Sequence, residues 1–62
     1  MFSDNLKNLR TVNNFTQKQI ANKLGISYKT YGHWENGYTE PDLTMLKKIK
    51  ELFDVSYDEL LE

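Results

Sequence analysis

The stretch that decides the fold is TQKQIANKLGISYKTYGHWENG, residues 16–37. It begins with a capping-box pattern, in which the side chains of Thr16 and Gln19 each satisfy a backbone N–H group of the other residue. Gly25 ends the helix that this cap starts, because glycine accepts the left-handed conformation common at helix ends. Ser27 then caps another helix. The stretch therefore predicts two short helices joined by a turn of only a few residues.

Two helices joined by so short a turn cannot lie side by side, because three or four residues do not reverse the chain. They cross steeply instead, which is the arrangement of a helix-turn-helix. We expect helix 2 to run from Gln17 to Leu24 and helix 3 to end near Asn36. Ala21 falls where the helices approach each other, and Trp34 helps to lock the pair onto the rest of the core.

The segments on either side of this pair predict three further helices and no strand. Ser3 is expected to cap a first helix that runs to about Asn13, and Asp42 a fourth helix. A second capping box, Ser56 to Glu59, begins a short fifth helix. Apolar residues at helical spacing predict the buried stripe of helix 4, namely Leu43, Leu46, Ile49 and Phe53. The sequence thus predicts one all-α domain of five helices over residues 1–62.

Composition excludes several classes of protein. The chain has 62 residues and no cysteine, so it has neither disulfides nor a thiolate metal site. No apolar run approaches the roughly 20 residues that span a membrane, so we predict a soluble, cytoplasmic protein with no membrane partner. The single histidine, His33, has no second His or Cys with which to bind a metal. No spacing supports a catalytic triad. We therefore predict no enzyme, metal or cofactor.

Charge is unevenly distributed along the chain, although the net charge is only −1. Residues 1–34 carry five lysines and arginines against one acidic residue, whereas residues 35–62 carry three against eight. Such asymmetry is typical of contact with nucleic acid through one face. It is equally typical of ordinary surface charge, and charge alone does not decide between the two.

Motifs along nearly the whole chain point to one family. They are Leu6, Leu9 and Arg10, Phe15 to Ala21, Lys23 to Ser27, Trp34 to Gly37, Glu40 and Pro41, and Val55, Ser56, Leu60 and Leu61. Together they resemble the Cro/phage-repressor type of helix-turn-helix transcriptional regulator. The resemblance implies a compact lambda-repressor-like domain of five helices, with helix 3 in the major groove of double-stranded operator DNA.

The resemblance also implies roles for individual residues. Base edges would be read by Tyr28, Lys29, Thr30 and His33. The DNA backbone would be held by Arg10, Gln17, Lys18, Ser27, Asn36 and Tyr38. The helix pair would be supported by Ala21, Gly25, Trp34 and Glu35. Arg10 and Glu35 match a salt bridge between helices 1 and 3, and Lys29 suits the O6 and N7 acceptors of guanine.

The sequence departs from the family pattern at three places. Tyr31 stands where the family usually has Ile or Val facing the core between helices 2 and 3, and its hydroxyl needs a hydrogen-bond partner there. Gly32 lies inside helix 3, where it lowers helix stability by roughly 1 kcal/mol relative to alanine. The loop Tyr38 to Glu40 lacks the Lys or Arg that often holds a phosphate there. All three bear on DNA affinity more than on the fold.

Two functions from different classes remain open. The leading one is a sequence-specific DNA-binding transcriptional regulator of the phage or bacterial repressor type, which binds operator half-sites as a homodimer. Tyr57 and Leu61 are candidate dimer contacts. The second is a protein-interaction module of the same fold, such as an anti-repressor or antitoxin, which acts by binding another regulator protein. The acidic second half of the chain and the aromatic-rich helix 3 favour the second.

Overall fold

The structure, a computed structural model, describes all 62 residues as five helices without a strand. The helices are α1 (Phe2–Val12), α2 (Gln17–Leu24), α3 (Tyr28–Glu35), α4 (Leu43–Phe53) and α5 (Tyr57–Leu61). The predicted all-α fold is confirmed. None of the five helices has the length and apolar character needed to cross a bilayer.

Side chains cap the N-termini of α2, α4 and α5 as predicted. In α2, Thr16 Oγ1 accepts the backbone N–H of Gln19 at 3.1 Å, and Gln19 Oε1 accepts that of Thr16 at 2.8 Å. Ser56 and Glu59 form the same reciprocal pair in α5, at 3.1 and 3.2 Å. Asp42 Oδ1 accepts a backbone N–H of α4 at 2.9 Å. These bonds satisfy donors that a helix leaves unpaired in its first turn.

The predicted cap of α1 is wrong. The helix begins at Phe2, with Met1 in the capping position and no side-chain hydrogen bond there. Ser3 therefore lies inside the first turn, two residues after the capping position. Phe2 packs against the core, which accounts for helical structure that starts ahead of Ser3.

Residues in the left-handed conformation follow the first four helices and turn the chain back towards the core. They are Asn14 (φ 63°), Gly25 (φ 73°), Gly37 (φ 75°) and Asp54 (φ 55°). At Gly25 the turn also closes through backbone bonds, because the N–H of Ile26 donates to the carbonyl of Ala21 at 3.0 Å. The short turn between α2 and α3 is thus fully determined locally.

The core is formed by one buried cluster to which every helix contributes. Its members are Leu6, Ile20, Ala21, Leu24, Tyr31, Trp34, Ile49 and Leu60. The predicted stripe of α4 is only partly correct, because Leu43 is 83% exposed whereas Ile49 is buried. Six residues at about 100° each place Leu43 about 120° from Ile49 around the helix. Met45 and Leu52, which were not part of the predicted stripe, pack against the core instead of Leu43.

The neighbouring helices cover only one side of α3 and leave the other side free. Its inner side carries Tyr31 and Trp34 into the core, where the two rings pack edge to face with 6.1 Å between their centres. The helix packs against α2 and α1, while α1 also contacts α5. Asn5 fastens that second contact by donating to the carbonyl of Leu60 at 3.0 Å. The outer side of α3 is therefore held on a fixed scaffold and faces solvent.

Candidate nucleic-acid interface

The N-terminus of α3 is held by the hydroxyl of Ser27. This oxygen accepts the backbone N–H of Thr30 at 3.1 Å and lies 2.9 Å from Thr30 Oγ1, to which it donates. Two of the residues that the sequence assigned to DNA thus bond to each other. Both remain exposed, so each keeps a free acceptor lone pair towards solvent.

The predicted scaffold residues lie between α2 and α3 or beneath them. Ala21 is buried in the core at the α2 side, and Trp34 is buried at the α3 side. Gly25 adopts positive φ in the turn between the two helices. The structure thus brings Ala21, Gly25 and Trp34 together under the outer side of α3.

A charged network joins the first three helices. The Nε of Arg10 donates to Glu35 Oε2 at 2.6 Å and its NH2 to Oε1 at 3.2 Å, which forms the salt bridge suggested by the sequence. A third donor of Arg10 reaches the carbonyl of Phe15 at 2.9 Å. Gln17 Nε2 also donates to Glu35, at 3.0 Å. Three donors from α1 and α2 therefore fix one carboxylate of α3.

Burial and pairing act in opposite directions on Glu35. Its side chain is only 2% exposed, and burial by itself would raise the pKa of the carboxyl group. Arg10, the nearby Tyr31 hydroxyl and the Gln17 amide together outweigh burial and hold that pKa below its usual value. The hydrogen bond to Glu35 likewise raises the pKa of Arg10. The pair is therefore fully charged at neutral pH.

Tyr31 lies against this network from the core side. Its ring is completely buried, yet its hydroxyl makes no hydrogen bond of standard geometry. Burial raises the pKa of this phenol far above its usual value, and the nearby Glu35 carboxylate raises it further. The sequence predicted that the ring faces the core, and this is confirmed. The acceptor that lies beside its hydroxyl is the Glu35 carboxylate.

The exposed side of α3 begins with Tyr28, Lys29 and Thr30. Tyr28 is 51% exposed, and the ammonium group of Lys18 lies 5.7 Å from the centre of its ring. This cation–π contact joins the first turns of α2 and α3. Lys29 is exposed and forms no hydrogen bond, salt bridge or ring contact within the chain. Among the predicted base-reading residues, Lys29 is thus the one whose side chain makes none of these contacts, whereas Tyr28, Thr30 and His33 each make one.

Two open grooves flank the Lys18–Tyr28 contact. The first is lined by Arg10, Phe15, Thr16, Gln17, Lys18 and Tyr28. The second is lined by Lys18, Gln19, Ala21, Asn22, Ile26 and Tyr28. At the floor of the first, the backbone N–H groups of Gln17 and Lys18 have no partner within the chain. Unpaired N–H groups at a helix N-terminus attract anions, so this groove suits a phosphate.

The far end of α3 brings the remaining candidates together. His33 is partly buried in the last turn, and its ring centre lies 5.6 Å from that of Tyr38. Asn36 ends the helix and is exposed, as is Tyr38. Apart from Arg10 on α1, all of the residues assigned to DNA therefore lie on α3, at the N-terminus of α2, or in the segments that adjoin these helices.

Sequence reasoning missed the interactions among these residues. The Lys18–Tyr28 and Gln17–Glu35 contacts join positions on different helices, and no local pattern predicts them. They depend on how α2 crosses α3. The His33–Tyr38 contact is different, because a helix end, a glycine and an aromatic residue within six positions are a visible signal for it.

Comparison with known proteins gives consistent matches. The model of the Helix-turn-helix family matches residues 6–60. An uncharacterised HTH-type transcriptional regulator of Bacillus subtilis, YqaE, is 45% identical over all 62 residues, which cover 53% of its length. YonR, a regulator of the same kind derived from the SPbeta prophage of Bacillus subtilis, is 42% identical over 62 residues and 57% of its length. The chain thus spans little more than half of these relatives.

A solved structure agrees with the sequence matches. The crystal structure of a transcriptional regulator from Listeria innocua superposes with a TM-score of 0.91 at 32% identity. The match covers 97% of this chain and 56% of that one. The arrangement of helices described above is therefore shared with a solved transcriptional regulator.

Proposed function

The chain belongs to the Helix-turn-helix family, as its resemblance to Cro/phage-repressor regulators predicted, and from this we propose that it is the DNA-binding domain of a transcriptional regulator. It inserts α3 into the major groove of operator DNA. The observation that carries the proposal is the free side of α3, where Lys29 makes no polar or ring contact within the chain and its neighbour Tyr28 contacts Lys18 at the N-terminus of α2. This arrangement offers one group to bases and others to the adjacent backbone.

Base reading is assigned to the N-terminal half of α3. Lys29 donates to O6 and N7 of guanine, the commonest specific contact in the major groove. Tyr28 and Thr30 contact a thymine methyl group or a neighbouring base edge. The resemblance also names His33, one turn further along, but its ring contact with Tyr38 favours a different role, which is argued below. Specificity therefore rests mainly on Lys29, because it alone has no partner inside the protein.

Phosphate binding is assigned to groups on both sides of α3. On one side, Gln17 and Lys18 present backbone N–H groups, and Lys18 adds its ammonium group. Arg10 and Ser27 border the same region, although their side chains also serve the scaffold. On the other side lie Asn36 and Tyr38. These contacts fix the orientation on the duplex but carry no sequence information.

The dimensions of the domain favour action as a homodimer. Its longest principal extent is 25 Å, whereas half-sites on one face of DNA lie about 34 Å apart. One domain therefore covers one half-site. Tyr57 and Leu61 on α5 are 44% and 46% exposed and are candidates for the contact between two copies. We propose no catalytic activity and, from a role on operator DNA, a cytoplasmic location.

Selection from a pool of random-sequence duplexes tests the proposal. We expect enrichment of one short motif, followed by a steep fall in affinity as salt increases, with a slope near −0.9 per neutralised phosphate. Lys18→Ala is expected to reduce this slope by about one. Lys47→Ala in α4 is the matched control, because it removes the same charge outside the α2–α3 region.

Failure of the selection has a clear meaning. The absence of any enriched motif, with tight binding to another regulator protein instead, would contradict operator binding. That result would favour the protein-interaction module considered in the sequence analysis.

A further inference from the structure

The aromatic contact at the end of α3 gives His33 a position that the sequence did not predict. Its ring is partly buried and is covered by the ring of Tyr38, with 5.6 Å between the centres and 54° between the planes. Tyr38 itself is 73% exposed. His33 thus forms the inner layer of this pair and Tyr38 the outer layer.

The backbone holds the two residues together. Gly37, at φ 75°, turns the chain so that it returns over the last turn of α3. The N–H of Tyr38 then donates to the carbonyl of His33 at 2.9 Å, and that of Thr39 approaches the same oxygen at 3.4 Å. One carbonyl therefore receives both N–H groups that follow the turn. The ring contact is built on this fixed backbone rather than on two free side chains.

This arrangement limits what His33 can do. A base-reading side chain projects freely into the groove, as Lys29 does, whereas His33 is partly buried beneath an aromatic neighbour. The phenol of Tyr38, by contrast, is held at the surface. The loop from Tyr38 to Glu40 has no Lys or Arg, so the phenol hydroxyl is the strongest hydrogen-bond donor that its side chains present.

We propose that His33 and Tyr38 form a single aromatic unit that binds the DNA backbone, in which Tyr38 donates its hydroxyl to a phosphate and His33 positions it. His33 is then a positioning residue and not a base reader, which changes the role given to it by the sequence. The inference rests on the proposed DNA-binding function. Its chemistry is that of a neutral donor to a phosphate oxygen, in place of the cation that this loop lacks.

The test compares variants on the duplex enriched by the wild-type protein. Tyr38→Phe retains the ring and is expected to weaken binding about fivefold through loss of one hydrogen bond. His33→Phe retains an aromatic platform and is expected to keep the wild-type motif, with affinity within about twofold. His33→Ala is expected to weaken binding about as much as Tyr38→Ala. The double alanine variant should lose little more than either single variant, because the two residues act together.

Two controls separate the effect of His33 on the position of Tyr38 from any effect of the variants on folding. Circular dichroism should show the same helical content for every variant, since neither residue belongs to the buried core. In free protein, proton NMR should show that the shifts of the His33 ring change in Tyr38→Ala, because the neighbouring aromatic ring is gone. Unchanged His33 shifts would contradict the aromatic unit even without DNA.

The remaining outcomes distinguish the two proposals. If wild-type protein enriches a motif but His33→Phe changes the preferred base at one position, His33 reads a base and the inference is overturned. Multiplicative losses in the double variant would also overturn it. If wild-type protein enriches no motif, the proposed function itself fails, and the inference fails with it.

Discussion

Lys29 is the residue on which sequence preference most depends. Its neighbours on α3 are engaged, Tyr28 with Lys18 and Thr30 with Ser27, whereas its ammonium group has no partner. We expect Lys29→Ala to remove about 1–3 kcal/mol of discrimination at one base pair. Selection with the variant should yield a motif that is relaxed at that position.

Gln17→Ala is the comparison for Lys29→Ala. It removes a side chain at the N-terminus of α2 that also donates to Glu35, so its stability is measured alongside its affinity. The side-chain amide has a second N–H that can donate to a phosphate, so we expect its loss to weaken binding about equally for all sequences. Identical effects of the two variants on sequence preference would contradict this division between base and phosphate contacts.

Tyr31 carries a buried hydroxyl without a hydrogen bond. A buried polar group in that state lowers stability by about 1–3 kcal/mol relative to a satisfied one. We therefore expect Tyr31→Phe to leave the free energy of unfolding unchanged or to increase it by up to about 1 kcal/mol. Urea denaturation measures this, and a clear loss of stability would show that the hydroxyl is bonded to the neighbouring Glu35.

Glu35 makes stability depend on pH in the acidic range. Its pKa in the folded protein lies below the usual value of a glutamate, so the folded state favours the carboxylate. The resulting stability is fully present above the unfolded pKa and is lost as the pH falls through the lower folded pKa. Thermal unfolding should therefore show a falling melting temperature in acid.

Glu35→Gln is the variant that isolates this contribution. At neutral pH we expect a loss of about 2–4 kcal/mol, because Arg10 keeps its charge without a counter-ion. Part of the acid dependence of the wild-type protein should also disappear. An unchanged acid profile in the variant would assign that dependence to other carboxyl groups.

At the scale of the elements, local signals predicted most of the fold. Capping at Thr16, Ser27, Asp42 and Ser56 was correct, because a cap involves residues only three positions apart. Ser3 failed as a cap, because packing of Phe2 starts α1 earlier. Errors of this kind arise where tertiary packing overrides a local preference.

The buried face of α4 shows the second limit. Spacing alone placed Leu43 with Ile49, yet Leu43 faces solvent and Met45 and Leu52 complete the face. Several stripes fit the apolar pattern of this helix, and the neighbouring helices decide which one is buried. The same limit applied to the site, where Lys18 meets Tyr28 only because α2 crosses α3.

Gly32 offers a direct test of the recognition element. A Cβ at this position would meet no atom within 4 Å, and its φ is not positive. We expect Gly32→Ala to stabilise the protein by roughly 0.5–1 kcal/mol, because alanine favours helix. Gly25→Ala is the contrasting variant and should destabilise the protein, since its φ of +73° strains any residue with a Cβ. Thermal unfolding measures the stability of both variants. A less stable Gly32→Ala variant would contradict the finding that a Cβ at this position has free space.

At the scale of the whole molecule, the net charge of −1 does not oppose DNA binding. The first 34 residues, which include α1, α2 and most of α3, hold five of the eight lysines and arginines with one acidic residue. Glu35, the first acidic residue after them, is neutralised by Arg10. The acidic surplus belongs to the segment that carries α4 and α5. The molecule is thus basic in the elements proposed to meet phosphate.

The most direct test of the central claim, that the α2–α3 region is the DNA-binding surface, is an NMR titration of ¹⁵N-labelled protein with the enriched duplex. The account predicts amide shift changes at the N-terminus of α2, from Ser27 to Asn36, and at Tyr38. A duplex of scrambled sequence should affect the same region more weakly. Changes confined to α4 and α5, or none at saturating duplex, would contradict the claim.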